Sequence, residues 1–154
     1  MIANFFPKTP TTDLLHEIHG SREKAYLNTV LIGSNVAGFA AFTSRSNPAD
    51  VIDMLTSMFR AFDSTSDFFG VEKIATVGDS YCGAVFPRSG KTDGGRCVSA
   101  ILFAVSTLNG TALHHQIGVH IGDIVGTFVG RAPPKFDVFG PGIDHARRME
   151  QCGK

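Results

Sequence analysis

The chain has no tryptophan and few cysteines, with Cys82, Cys97 and Cys152 the only ones among its 154 residues. An odd number of widely spaced cysteines argues against a disulfide framework and against a paired-cysteine zinc or redox site. We therefore expect free thiols in a reducing compartment. No apolar run reaches the roughly 18 residues of a membrane helix, and the N-terminus lacks the pattern of a signal peptide. We expect the segment to be in the cytoplasm and to make no direct contact with a membrane. This expectation includes the case in which the segment is the cytosolic part of a larger, membrane-attached protein.

The formal net charge of the chain is zero, because 14 Lys and Arg residues balance 14 Asp and Glu residues. Binding to nucleic acid or to anionic lipid needs a clear basic excess, so the composition argues against nucleic acid as the main partner. Apolar residues make up 43% of the chain and charged residues 18%, which is typical of a globular protein rather than of a disordered or coiled-coil segment. At this length we expect one domain with its own core.

The apolar pattern predicts an alternation of strands and helices. Helices are predicted at 11–19, 48–62, 97–108 and 143–151, where apolar residues recur with helical spacing. Strands are predicted at 26–32, 69–77, 81–86, 116–121, 124–129 and 136–139. This order is typical of an α+β sandwich in which helices cover one face of a mixed sheet.

Asp79 is the first candidate for chemistry, at the tip of a predicted turn between two strands. Strands on either side would hold its carboxylate rigidly, as Mg²⁺ requires, because this ion demands near-ideal oxygen geometry. Aspartate is also common in ordinary hairpin turns, where its side chain bonds the local backbone. Both interpretations of Asp79 are open on spacing alone.

A second candidate is the exit of the first predicted strand, where Gly33 and Gly38 permit close approach of the backbone. The amides of Val36, Ala37, Gly38 and Phe39 are predicted to form a concavity that binds phosphate ahead of a helix. It is not a P-loop, since no Gly-Lys-Ser/Thr follows. A third candidate is the pair Asp144 and Arg148, which are four residues apart and therefore share one helical face. An ordinary surface ion pair explains that spacing equally well.

Taken in order, five segments resemble the catalytic domain of class III nucleotide cyclases, the adenylate and guanylate cyclase family. They are FFPKTPTTDLLHEIHG, NVAGFAAFT, KIATVGDSY, IGVHIGDIVGTFVG and FDVFGPGIDHARRME. The resemblance implies a ferredoxin-like, mixed or antiparallel sheet with helices packed on it. It also implies a lead-in helix and linker over residues 1–25 and a catalytic domain over 26–154, to which the family adds a further pair of strands after the point where this sequence ends.

In this family two domains form a head-to-tail dimer with the active site at their interface. There ATP or GTP becomes a cyclic nucleotide plus pyrophosphate when the ribose 3′-oxygen attacks the α-phosphate. Two Mg²⁺ or Mn²⁺ ions assist, held by one aspartate from each of the first two motifs. Asp79 matches the second of these aspartates, whereas Asn35 occupies the first position. The resemblance implies that Asn35 and Asp79 lie on adjacent central strands.

Asn35 offers a neutral oxygen where the family offers a charge. A pair of unit charges about 4 Å apart is worth roughly 4 kcal/mol at an effective dielectric of 20, or about three powers of ten in rate. We therefore expect a weak metal site and impaired activity of the chain by itself.

The substrate-reading positions differ from the family pattern as well. Ala75 stands where adenylate cyclases have Lys and guanylate cyclases Glu, and it cannot hydrogen-bond a purine. Asp137 matches the adenine-reading Asp and favours ATP over GTP. Asp144 replaces the Asn that orients the ribose, whereas Arg148 matches the transition-state arginine. Ala40 replaces a threonine whose hydroxyl can help to bind the phosphates.

Three functions are compatible with this mixture of kept and altered positions. The first is a slow cyclase that acts as a homodimer or as half of a heterodimer with another cyclase domain. The second is a weak or silent subunit that dimerises with a competent partner and regulates it. The third is a domain with the cyclase fold and no role for a nucleotide.

Overall fold

The computed structural model describes residues 6–16, 23–87, 92–110, 113–130 and 135–153. In chain order the elements are α1 (Lys8–His16), β1 (Glu23–Val36), α2 (Phe39–Thr43), α3 (Pro48–Phe69), β2 (Glu72–Val77), β3 (Ser80–Val85), α4 (Asp93–Gly110), β4 (His115–Val129), β5 (Lys135–Phe139) and α5 (Pro141–Cys152). The lead-in helix therefore lies within 8–16, and residues 17–19 of the predicted helix lie outside the described residues.

One sheet of five strands in the order β2-β3-β1-β4-β5 forms the centre of the described structure. All four strand pairs are antiparallel. In the register of the central strand β1, Gly33 lies opposite Cys82 on one side and Gly118 on the other, and Asn35 lies opposite Gln116. The predicted α+β fold is confirmed, with a sheet that is wholly antiparallel.

Helices cover both faces of this sheet, so the prediction that they cover one face is wrong. Val30 and Ile32 of β1 share a buried cluster with Phe62 of α3, while Leu31 shares the opposite cluster with Ile143 of α5. A strand that is buried on both faces has a continuous apolar run instead of an alternating pattern. The apolar run from Val30 to Ile32 can be recognised in the sequence, but it does not predict which helix covers which face of the sheet.

The structure differs from the predicted strands at two places. The strand predicted from Phe69 starts at Glu72, because α3 continues to Phe69 and ends at Gly70 with φ of 71°. A glycine in the left-handed conformation is a common helix stop. The two strands predicted around Gly122-Asp123 are one strand, β4.

A β-bulge in β1 explains why the chain does not turn at Gly122-Asp123. The pairing of β1 with β4 shifts between Tyr26 and Thr29, where Asn28 has φ of 51°. The amide nitrogen of Asn28 donates to Asp123 Oδ1 at 2.9 Å, and Arg96 Nη2 donates to the Asn28 carbonyl at 2.9 Å. Asp123 therefore anchors the bulge of its partner strand instead of forming a turn.

Helices α3 and α4 pack on one face around an aromatic cluster. Phe62 of α3 and Phe103 of α4 both contact the buried ring of Tyr81, with centroid distances of 5.2 and 5.8 Å. Aromatic pairs in these geometries add to the burial of apolar area. Among the described helices, none is both long enough and apolar enough to cross a membrane.

Helix α5 covers the other face and lies very close to the sheet. A β-carbon at Gly118 would overlap the carbonyl oxygen of Ala146 and the backbone nitrogen of Glu150, and it would lie 2.8 Å from Glu150 Cα. Gln116 Nε2 donates to the carbonyl of Gly153 at 2.5 Å, just after the helix ends. These contacts fix α5 against β4 and bring Glu150 to the end of β1 that carries Asn35.

Candidate active site

The turn between β2 and β3 places Asp79 against the end of β1. The backbone amide of Val36 donates a hydrogen bond to Asp79 Oδ2 at 3.1 Å. Gly78 precedes Asp79 in the turn with φ of 60°, a conformation that favours glycine. The motif positions 35 and 79 are therefore neighbours in the fold, as the resemblance implied, but Asp79 lies in the turn before β3 and not on a strand.

Asn35 approaches this carboxylate from β1 and also reaches α5. Its side chain interacts with Glu150 and lowers the pKa of that carboxyl, while its Oδ1 atom is buried and has no partner among the described residues. An ionised carboxylate can only accept hydrogen bonds, so the amide nitrogen is the polar atom of Asn35 that suits Glu150. The oxygen of Asn35 is thus one of several buried polar atoms without a partner among the described residues, and both ring nitrogens of His115 are others at this end of β1.

The charge of Asp79 acts on two neighbouring titratable side chains. Glu150 is 7% exposed, and burial raises its pKa, with Asp79 adding to this effect and the hydrogen bond from Asn35 opposing it. His115 lies opposite Val36 in the sheet. Burial lowers the pKa of His115, whereas the charge of Asp79 raises it. The end of β1 is therefore a region of negative potential that lies partly out of water.

These residues fit a hard divalent cation in the chemistry of their donors. Carboxylate and amide oxygens are the ligands that Mg²⁺ and Mn²⁺ prefer, and Asn35 Oδ1 is a buried oxygen in need of a partner. No group of three His, Cys, Asp or Glu side chains converges in the described part of the chain. Asp79 and Asn35 would hold the ion with less charge than two carboxylates provide.

The backbone amides proposed for phosphate binding are partly engaged. Val36 donates to Asp79, and the amide of Ala37 donates to the carbonyl of His114 at 2.8 Å. Gly38, with φ of 74°, is the N-cap of the five-residue helix α2, which starts at Phe39. Of the four predicted amides, those of Gly38 and Phe39 are the ones left for a phosphate.

A second group of residues surrounds Cys82 on β3. Ala75 of β2 lies directly opposite Cys82 in the sheet, and strands β2 and β5 contact each other although they are the two edges. Burial raises the pKa of Cys82 to about 11, the charge of Arg147 lowers it, and the charge of Asp137 raises it. The fold therefore gathers Ala75, Asp137 and Arg147 around one thiol.

The residues around this thiol differ in their polar groups. Ala75 extends no polar atom, and Asp137 Oδ1 accepts from the adjacent amide of Val138 at 2.9 Å. Asp137 Oδ2 lies 3.9 Å from Lys135 Nζ. All three cysteines are free, as expected, and Cys152 on α5 is exposed.

Asp144 and Arg148 are both exposed on α5. Asp144 lies in the first turn of the helix, where a negative charge interacts favourably with the helix dipole. Both residues are in the described part of α5, and no ion pair joins them. Arg148 is therefore available to bind an anion, and the surface ion pair that spacing alone suggested is not formed.

Sequence reasoning missed Glu150, His115 and Arg147 as neighbours of the candidate residues. A signal for Glu150 was present, because it continues the buried stripe of Ile143 and Ala146 at helical spacing. His115 had no such signal, since its position beside Val36 depends on how β1 and β4 pair.

A sequence model described as "Adenylate and Guanylate cyclase catalytic domain" matches residues 22–154. The chain belongs to this family. Its geometry agrees with that membership, since the first two cyclase motifs meet at the bond between Val36 and Asp79.

The relatives of this cyclase domain include guanylate cyclases of animals. It is 31% identical to the head-specific guanylate cyclase of Drosophila melanogaster over 134 residues, which cover 82% of this chain and 20% of that protein. It is 27% identical to the guanylate cyclase soluble subunit alpha-1 of Bos taurus, covering 99% of this chain and 23% of that protein. The cyclase domain spans less than a quarter of the length of these relatives.

Solved structures of the same fold come from guanylyl and adenylyl cyclases. The guanylate cyclase domain of RhGC from Catenaria anguillulae in complex with GTP has a TM-score of 0.77 and 24% identity, covering 85% of this chain and 76% of that one. The adenylyl cyclase CyaB from P. aeruginosa has a TM-score of 0.78 and 13% identity, covering 87% of this chain and 76% of that one. At these identities the likeness shows the cyclase fold and not the nucleotide.

Proposed function

We propose that this cyclase domain binds a purine nucleoside triphosphate with Mg²⁺ or Mn²⁺ and converts it slowly to a cyclic nucleotide and pyrophosphate. The observation that carries the proposal is the meeting of Asp79 with the end of β1, where Val36 fixes one carboxylate oxygen and Asn35 offers an unpartnered one. Both oxygens lie at the end of the sheet where the amides of Gly38 and Phe39 remain free for phosphate.

In the reaction the ribose 3′-oxygen attacks the α-phosphorus. The new oxygen–phosphorus bond forms as the bond to pyrophosphate breaks, and the 3′-hydroxyl proton leaves to water. Divalent ions bound at this site would supply positive charge for activation of the 3′-oxygen and for neutralisation of the triphosphate. Asp79 and Asn35 would hold them, while Arg148 donates hydrogen bonds to phosphate oxygens as negative charge develops.

The base is proposed to be adenine rather than guanine. A carboxylate accepts a hydrogen bond from the exocyclic amine of adenine, and the charge of Asp137 acts on Cys82, which lies opposite Ala75 in the sheet. Ala75 adds no hydrogen bond, so the preference for ATP over GTP is expected to be small. A missing hydrogen-bond partner in a polar recognition site is the usual source of weak discrimination.

The chain is proposed to act as a dimer half in cyclic-nucleotide signalling in the cytoplasm. Metal ligands from one domain and base-reading groups from the other would form each site, in a homodimer or in a heterodimer with another cyclase domain. Asn35 and Asp144 each change one charge near the triphosphate in the unfavourable direction, which supports impaired activity for the chain by itself.

The test is product formation by the purified chain with ATP or GTP and with Mg²⁺ or Mn²⁺. We expect slow formation of cyclic AMP that is faster with Mn²⁺ and disappears in Asp79→Asn. Glu23→Gln, at the exposed start of β1, is the matched control and should keep the rate. Absence of both turnover and nucleotide binding under all four conditions would contradict the proposal.

A silent regulatory subunit is the second candidate, favoured by the four altered positions Asn35, Ala40, Ala75 and Asp144. The chain would then be inactive by itself and would change the rate of a competent cyclase half on mixing. The rate of that half is measured while this chain is titrated to a large excess. An unchanged rate across the whole titration would eliminate this candidate.

A further inference from the structure

Glu150 is a buried carboxylate to which the family resemblance assigns no role. It is 7% exposed, and its side chain interacts with Asn35 across the gap between α5 and β1. Burial of an ionisable side chain is costly unless it is paired or hydrogen-bonded. The position of this carboxylate beside Asn35 therefore needs an explanation.

Two facing glycines bring the helix to Asn35. Gly33 of β1 and Gly118 of β4 are opposite each other in the sheet. A β-carbon at Gly33 would lie 3.8 Å from Glu150 Cβ, and one at Gly118 would lie 2.8 Å from Glu150 Cα. Because neither strand has a side chain here, the helix backbone lies low on the sheet and Glu150 is directed along β1 toward residue 35.

The side-chain amide of Asn35 can bind a cation in only one of its two orientations, so the position of Glu150 beside it matters for cation binding. An aspartate presents two equivalent oxygens, so either can bind a cation, whereas an asparagine has one oxygen and one nitrogen. A cation is bound only when the oxygen faces it. In this structure the side chain of Asn35 interacts with Glu150, and its Oδ1 is buried without a partner among the described residues, which leaves the nitrogen as the atom suited to the carboxylate.

We propose that Glu150 is a positioning residue that holds the amide of Asn35 with Oδ1 turned toward a divalent cation beside Asp79. Outer hydrogen-bond partners commonly fix the orientation of metal ligands in this way, and their loss weakens metal binding about 10- to 100-fold. The negative charge of Glu150 also compensates, one side chain further out, for the charge that Asn35 lacks. The inference rests on the proposed function only for the presence of a cation at this end of the sheet.

The test is a double-mutant cycle on Mn²⁺ binding, measured by electron paramagnetic resonance with Mn²⁺ alone. Four proteins are compared, namely the wild type, Glu150→Gln, Asn35→Asp and the double variant. Glu150→Gln should weaken Mn²⁺ binding about tenfold or more when Asn35 is present. In the Asn35→Asp background the same change should matter less than about twofold, since a carboxylate with two equivalent oxygens needs no orientation.

A purely structural role for Glu150 predicts a different result. In that case Glu150→Gln weakens Mn²⁺ binding equally in both backgrounds, which would overturn the proposal, as would an unchanged affinity when Asn35 is present. Glu23→Gln is the control and should leave Mn²⁺ binding as in the wild type.

A second measurement needs no substitution at Glu150 and serves if that variant does not fold. The chain is labelled with ¹⁵N-asparagine, and the side-chain amide signals of Asn35 are assigned by their absence in Asn35→Asp. We expect these signals to be protected from exchange and to shift as Mg²⁺ is added. Rapid exchange of these amide protons with water would overturn the proposal. Chemical shifts that do not change at saturating Mg²⁺ would also overturn it.

The outcomes separate this inference from the proposed function. Mn²⁺ binding with the expected coupling but without any cyclic product would refute cyclase activity and leave the role of Glu150 intact. Formation of cyclic product with no coupling between positions 35 and 150 would refute the role of Glu150 and leave the proposed cyclase activity intact.

Discussion

The backbone of α5 crosses β4 so closely that a β-carbon at Gly118 would lie 2.8 Å from Glu150 Cα and would overlap the backbone nitrogen of the same residue. Real β-carbons are not found this near to another backbone. The glycine therefore determines the height of α5 above the sheet, and with it the distance from Glu150 to Asn35. Stability and site geometry depend on the same contact.

Gly118→Ala should destabilise the protein strongly. The added methyl group meets backbone atoms of Ala146 and Glu150, which cannot rotate away, so α5 has to shift. Overpacking of this kind costs about 1–3 kcal/mol or more in the free energy of unfolding, measured by urea denaturation. The matched control is Gly94→Ala, in the first turn of α4 with no atom within 4 Å of the new carbon, which should stabilise the helix by about 0.5–1 kcal/mol. Equal small effects of both changes would show that α5 does not lie as close as described.

Asn35→Asp should raise the rate of cyclic nucleotide formation with Mn²⁺. The new carboxylate faces the cation beside Asp79, and the upper limit of the gain is about three powers of ten. Initial rates at saturating nucleotide measure the effect. Asn47→Asp makes the same chemical change at the exposed N-cap of α3 and should have no effect. If nucleotide binding is intact and the rate does not rise, metal affinity is not the limiting defect.

Ala75→Lys should increase the preference for ATP. The ammonium group would extend from β2 beside Cys82, on which the charge of Asp137 acts, and would supply the hydrogen bond that alanine lacks. A hydrogen bond made by a charged group is worth about 1.5–3 kcal/mol, so the ratio of kcat/KM for ATP to that for GTP should rise about tenfold or more. Ala75→Leu adds volume without a donor and should leave the ratio unchanged. A similar change in both variants would mean that size, not hydrogen bonding, acts at this position.

The stability of the protein should decrease as the pH falls from 7 to 5, in part because of His115. Burial lowers the pKa of this imidazole below its ordinary value of 6.5, although the charge of Asp79 acts in the opposite direction. Below pH 6.5 the unfolded chain therefore binds a proton more readily than the native one, and the free energy of unfolding decreases. Urea denaturation at about pH 5, 6 and 7 measures this dependence.

His115→Phe should weaken that pH dependence while retaining the ring contact with Phe62, whose centroid lies 5.2 Å away. The neighbouring His114 is exposed, so His114→Phe provides the control. The same pH dependence in the wild type and in His115→Phe would assign the effect to other groups.

The proximity of Asn35 and Asp79 could be predicted from the resemblance of their motifs to the cyclase family, whereas the residues alone do not predict it. The contact of Glu150 with Asn35 could not be predicted. Helical spacing with Ile143 and Ala146 places Glu150 on the buried face of α5, but its distance from Asn35 depends on two glycines, Gly33 and Gly118, that are far from it in sequence.

The same limit applies to the sheet. Gly122-Asp123 has the sequence of a turn, but the deciding interaction is the hydrogen bond from Asn28 to Asp123, made by a strand 95 residues away. Local patterns predict strands and helices well where the residues of a segment determine its structure by themselves, as in the apolar strand segment Val30 to Ile32. They do not predict which backbone a polar side chain will bond across the fold.

The three thiols differ in ways that make site-selective labelling practical. Cys152 is exposed two residues after Glu150, whereas Cys82 is partly buried with a pKa near 11 and Cys97 is partly buried on α4. Maleimide reagents attack thiolates at accessible sites, so a nitroxide would attach first at Cys152. The spin–spin distance from that label to a bound Mn²⁺ ion would locate the cation without any substitution in the chain.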